Sequence, residues 1–211
     1  MSLFSADNKV MQFLDTFIDY VLLQLVTFVF CIPIVTIGAA MTAKYYTAMK
    51  LARKESPNIL QSFLKSFKEN FRQGLLLELV AGAAFAVLAV DWYLLCSTNF
   101  GLISYLLLSV MIAVTIVVGM TAAFAFPLLA RFHAGTGQIL KSALEIGTGK
   151  FWVSLIFVLC NVALAVACII WIVYGVFVWL IGGAVLCWLR SMLLVMVFKN
   201  FETEGTEQMN L

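Results

Sequence analysis

Lys65, Lys68 and Arg72 recur at helical spacing in the stretch SFLKSFKENFRQGLLLELVAG, residues 62–82, and Phe63, Phe67 and Phe71 repeat every fourth residue beside them. Residues three and four apart share one face of a helix, so this is the pattern of an amphipathic helix with a basic side and an aromatic side. Cations arranged this way attract anionic lipid headgroups, at about 1 kcal/mol each. They also suit a docking surface, with the phenylalanines as anchors in a cytoplasmic or membrane partner. Nucleic acid is not expected, because the net charge is only +2 and no nucleic-acid-binding motif accompanies the cluster.

A few other charged residues sit within or at the ends of the apolar blocks. An Arg at mid-bilayer costs roughly 2.5–3.5 kcal/mol on insertion scales and is usually paired or solvated. Glu78 and Arg190 both fall in the inner halves of apolar blocks, so they are expected to approach each other as an ion pair, the alternative being that each reaches the headgroups by itself. Asp19 and Asp91 fall near block ends, and Asp91 beside Trp92 and Tyr93 reads as an interfacial belt. Asn161 suits a helix-to-helix hydrogen bond. No GxSxG, HExxH or phosphate-loop motif occurs, so no enzyme is expected. With His133 the sole histidine and the five cysteines in no CxxC spacing, neither a metal centre nor another cofactor is expected.

The elements that must hold these residues follow from composition. Sixty-four per cent of the 211 residues are hydrophobic and 11% are charged, against roughly 25% charged in soluble domains. Apolar blocks long enough to cross the ~30 Å hydrocarbon layer as helices span residues 17–38, 74–96, 102–129, 151–174 and 176–198. The last two need a turn between them, since 48 residues in one helix would reach ~72 Å. Gly175 leaves two halves that both suffice to cross. Helices are also expected over 57–73, opened by Ser56-Pro57 and lying at the membrane surface, and over 137–147. Leu64-Lys65-Ser66 and Leu140-Lys141-Ser142 each precede a span, which is compatible with an internal duplication. Pro33 and Pro127 mark a kink or helix end in the first and third spans.

Lys44, Lys50, Arg53, Lys54 and the cluster at 65–72 place the connection 39–73 in the cytoplasm, as Arg131, Lys141 and Lys150 place the connection 130–150. Five crossings then put the N-terminus outside and the tail 199–211 inside. The expected fold is an all-α integral membrane protein, a bundle of about five transmembrane helices with cytoplasmic amphipathic helices.

The string Ile32-Pro33-Ile34-Val35-Thr36-Ile37-Gly38, with Thr42-Ala43, Tyr45-Tyr46 and Lys50-Leu51 after it, resembles the N-terminal signature of the bacterial YesL-like family. Ser66-Phe67-Lys68-Glu69-Asn70-Phe71-Arg72-Gln73-Gly74 is similar to that family's second block. The resemblance implies a setting, not a reaction: a multi-pass protein of the bacterial cell membrane that accompanies carbohydrate ABC importers. It carries over no catalytic or ligand-binding residue. The function expected from residues and resemblance together is a non-catalytic accessory subunit, its partners the lipid bilayer and importer permease subunits or another membrane protein. The alternative is a small stand-alone permease or channel that acts as an oligomer.

Overall fold

Pro33 decides how the chain begins. Its ring removes a donor and disfavours helical backbone at the residue before it, and in the computed structural model the first helix, α1 (Leu3–Cys31), stops two residues short of it. The chain then turns through a short 3-10 segment, Ile34–Thr36, held by the Thr36 amide on the Pro33 carbonyl at 3.0 Å. A second helix, α2 (Ile37–Ala52), follows. The structure describes residues 3–55, 58–98, 101, 103–132, 134–149, 152, 155–156, 158–160, 163, 166 and 175–209. The remaining elements are α3 (Ile59–Ser97), α4 (Ile103–Arg131), α5 (Thr136–Gly149) and α6 (Gly175–Met209), with no strand among the described residues. Most of the expected span 151–174, with Asn161, lies outside the described residues, as do Ser56-Pro57 and His133.

Two expectations are corrected here. The expected first span, residues 17–38, is not one crossing but the second half of α1 joined to the start of α2. The helix expected over 57–73 does not lie apart on the membrane surface. It is the first part of α3, which is capped at Asn58, whose side chain accepts from the Gln61 amide at 3.2 Å, and runs 39 residues without interruption. The reason is packing: Ile59, Phe63, Ser66, Asn70, Gly74 and Leu77 form one buried stripe at three-and-four spacing straight through the expected break. At ~1.5 Å per residue α3 is ~58 Å long, nearly twice the hydrocarbon layer.

The hidden element is α2. No residue of Ile37–Ala52 is exposed, and its neighbours are α1, α3, α4 and α6. Small side chains make this possible. Gly38, Ala39, Ala40, Ala43 and Ala48 are buried, and the hydroxyls of Thr42 and Thr47 return to carbonyls four residues back, at 2.8 and 3.0 Å. α2 ends where Lys54 takes φ +59°, a left-handed conformation usually left to glycine, while the Glu55 amide closes on the Lys50 carbonyl at 3.2 Å.

Among the described residues, four helices are long and apolar enough to cross a membrane, with windows Leu14–Cys31 in α1, α3, α4 and Leu180–Val197 in α6. The protein is an all-α, multi-pass membrane protein. α1 and α6 run antiparallel: Tyr20 meets Ser191 at 2.7 Å, while four residues on Gln24 packs against Gly183. The start of α1 and the end of α6 therefore share one end of the bundle, and α1 with α2 forms a hairpin whose tip, Ile32, Ile34 and Val35, is apolar and exposed.

Candidate functional site

The residues expected to dock a partner separate into two sets. Lys65, Lys68 and Arg72 are exposed on α3. Phe63 is fully buried, in a cluster with Tyr20, Leu23, Ala40 and Ala48. Phe67 and Phe71 are half-buried and continue a ladder of rings: Phe30 of α1 lies 5.2 Å from Phe63 and 5.1 Å from Phe67, and Phe67 lies 5.6 Å from Phe71. Rings at 4.5–7 Å in tilted or edge contact are a favourable aromatic arrangement. The aromatic side of this helix thus packs in part on the chain's own α1, and Phe63 is withdrawn from any docking surface. What sequence reasoning missed was Phe30.

The expected Glu78–Arg190 pair does not form. A carboxylate oxygen of Glu78 accepts from the Gly38 amide at 2.9 Å. Gly38 is the second residue of α2, where backbone N–H groups lack helical partners and the helix dipole favours negative charge, so Glu78 serves as the cap that Thr36 does not supply. This contact depends on two glycines. The Gly38 and Gly74 backbones touch, and a Cβ added to Gly74 would lie 2.8 Å from the Ala39 nitrogen.

Arg190 instead donates to the Tyr45 hydroxyl at 3.3 Å. That contact stands between two cavities, both of which include Met41, Tyr45 and Arg190 in their walls. One, of about 390 Å³, extends toward Phe85, Thr115 and Gly119 between α3 and α4. The other, of about 180 Å³, is bordered by α1, α2 and α6 and is lined by Gln24, Thr27, Lys44, Tyr45, Cys187 and Arg190. It lies inside the apolar windows of α1 and α6. Buried faces put these polar groups there: Tyr20, Leu23, Gln24 and Thr27 form one stripe of α1, and Gly183, Ala184, Cys187 and Ser191 form one stripe of α6. The base of the site is fixed by Tyr20, whose hydroxyl donates to the Ala48 carbonyl at 3.2 Å and meets Ser191, so one side chain ties three helices.

A multi-pass α-helical bundle whose polar groups converge within its apolar windows defines an integral membrane protein with an interior polar pocket. Residues 18–92 match the family described as a protein of unknown function, DUF624. YesL-like proteins belong to this family, to which the chain is similar over these residues. Gln24, Gly38, Lys44, Tyr45, Gly74 and Glu78 all lie inside the matched segment, whereas Gly183 and Arg190 lie beyond it. The chain has no match among curated proteins and none among solved structures.

Proposed function

We propose that the protein is a non-catalytic accessory subunit of the bacterial cell membrane, associating laterally with the permease subunits of a carbohydrate ABC importer or another solute-uptake complex. The observation that carries this reading is how little of α3 and α4 the chain covers. Their apolar windows are each 6% buried, against 33% for the window of α6. Helices left this bare must be covered by lipid or by other helices, and a partner permease supplies the latter. In this reading Lys65, Lys68 and Arg72 lie in the cytoplasm, following the bias of Lys and Arg toward that side. Because α1 and α6 are antiparallel, the N-terminus then shares the cytoplasmic face with the C-terminal tail, which revises the expectation that it lies outside.

A second reading, a small permease acting alone, is favoured by the interior cavities that meet at Tyr45 and Arg190. Purification in mild detergent separates the two. The accessory subunit should bring permease and ATPase subunits with it, and the combined substitution Lys65→Glu, Lys68→Glu and Arg72→Glu should strip them away while leaving the fold intact, since all three side chains are exposed. Recovery of the chain without partners, together with solute movement by the purified protein in liposomes, would establish the second reading instead.

A further inference from the structure

Gln24 of α1 is 1% exposed, and its amide oxygen has no hydrogen-bond partner among the described residues. Its amide nitrogen lies over Gly183, where an added Cβ would come within 2.6 Å, so a glycine on α6 leaves the room that this side chain occupies. Buried acceptors are almost always satisfied, and an orphan of this kind calls for an explanation. This one borders the cavity of about 180 Å³ between α1, α2 and α6.

A second unspent group faces the same space. Tyr45 of α2 is 6% exposed; its hydroxyl accepts from Arg190 at 3.3 Å, and its own proton goes to no acceptor among the described residues. Charge does not choose the occupant. Lys44 and Arg190 stand in the wall, but Glu78 keeps its negative charge while it accepts from the Gly38 amide, and its field reaches Cys31 in that wall together with that of Lys44. Arg190 is engaged on Tyr45 and elsewhere. What the cavity lacks is therefore a donor for Gln24 and an acceptor for Tyr45.

The one neutral group that supplies both is a hydroxyl. Water has the same capacity, but each water takes ~30 Å³ and needs two to four polar partners, so several would have to share these few groups. Thr27 spends its proton on the Leu23 carbonyl at 2.7 Å, and Met41, Leu186 and Cys187 give the wall apolar stretches that no water can bond. Hydroxyls on a short carbon skeleton answer Gln24 and Tyr45 and lay C–H surface against those side chains. The volume is below the ~300–1,000 Å³ of pockets for drug-sized ligands, so the molecule is compact.

We propose that the cavity bordered by Gln24 and Tyr45 binds a free, neutral polyol of the size of erythritol. The site stands independently of the accessory role, since it rests on the interior of the bundle and not on its outer face.

Full-length protein in phosphatidylcholine nanodiscs, which add no sugar-headed detergent, is titrated with erythritol and followed by saturation-transfer NMR. The expected result is transfer that saturates with erythritol concentration and is absent from empty nanodiscs. Gln24→Leu and Tyr45→Phe should each weaken binding at least tenfold, and Lys68→Met, exposed on α3, should leave it unchanged. Gln24→Leu should also raise the melting temperature of the ligand-free protein, because it removes a buried acceptor that has no donor. Should Gln24→Leu fail to fold, Tyr45→Phe carries the test. Absence of transfer from the unaltered protein overturns the proposal, water alone then filling the cavity, as does erythritol binding that survives either substitution in a folded protein.

Discussion

α3 passes through two regions that share a helix and little else. In its first half it lies on α2 so closely that backbone meets backbone at Gly38 and Gly74, with Glu78 bonded across the seam and the Phe63–Phe67–Phe71 ladder closed by Phe30. In its second half Leu79, Val80, Phe85, Val87, Val90 and Leu94 are exposed, Leu88 is its only buried residue beyond Leu77, and a single side-chain bond, Trp92 to Thr115 at 3.0 Å, reaches α4 among the described residues. Lipid accepts any apolar side chain, so the second half demands only hydrophobicity. Helix association inside a membrane lacks a hydrophobic drive and depends on close packing and polar contacts, so the seam demands particular residues.

The largest expected effect follows from this contrast. An alanine at Gly38 or at Gly74 puts a Cβ against backbone atoms that have no rotamer to retreat to, and the helices must separate. Each substitution should cost about 3 kcal/mol or more. Gly82, only two turns further along α3, has nothing within 4 Å of an added Cβ. Gly82→Ala should cost nothing and can gain up to ~1 kcal/mol from helix propensity. Chemical denaturation in detergent micelles, followed by helical circular dichroism, measures all three. A seam glycine that tolerates alanine as well as Gly82 does would erase the distinction between the regions.

The two regions were also unequally legible. Hydropathy located the apolar lengths of α3 and α4, because the bilayer imposes length and apolarity alone. α2 was missed as an element: at 16 residues it is short for a span, and Lys44, Lys50 and the alanines make its surroundings resemble a cytoplasmic connection. Its identity comes from being enclosed on every side, which is a property of its neighbours. The aromatic side of residues 59–73 was read correctly as a face, but a face does not name its partner, and Phe30 lies in another helix. Glu78 misled for a similar reason, since an amide N–H at a helix start carries no charge in the sequence to match against a carboxylate. Tyr45 as the partner of Arg190 left no signal either; a search among the buried hydroxyls of the adjoining block could have proposed it.

Glu78 supplies the intermediate test. Removing the carboxylate with Glu78→Ala leaves an N-terminal amide of α2 buried without its acceptor, a loss of about 1–2 kcal/mol by analogy with helix caps and charges at helix N-termini. Glu78→Gln retains an oxygen of the same reach but not the charge, and should recover roughly half. If the glutamine variant were as unstable as the alanine one, charge against the dipole would account for the contact, and the 2.9 Å hydrogen bond would contribute little. Either result leaves the packing of Gly38 on Gly74 unaffected, so the two terms of the seam can be separated.

The smallest effect belongs to the far half of α3. Thr115 accepts from the Trp92 indole and passes its own proton to the Met111 carbonyl at 2.7 Å. Thr115→Val keeps the shape and removes both bonds, yet interhelical hydrogen bonds in membrane proteins average about 0.6 kcal/mol, because the separated helices find other partners. A loss near that value is expected, small beside that of Glu78→Ala. The indole fluorescence of Trp92 offers a local reading in a variant whose four other tryptophans are replaced by phenylalanine. There Thr115→Val should shift the emission while the denaturation midpoint hardly moves. A midpoint loss as large as that of Glu78→Ala would mean that the outer half of α3 is held to α4 by a specific contact after all, and that its bare surface is not simply surrendered to lipid.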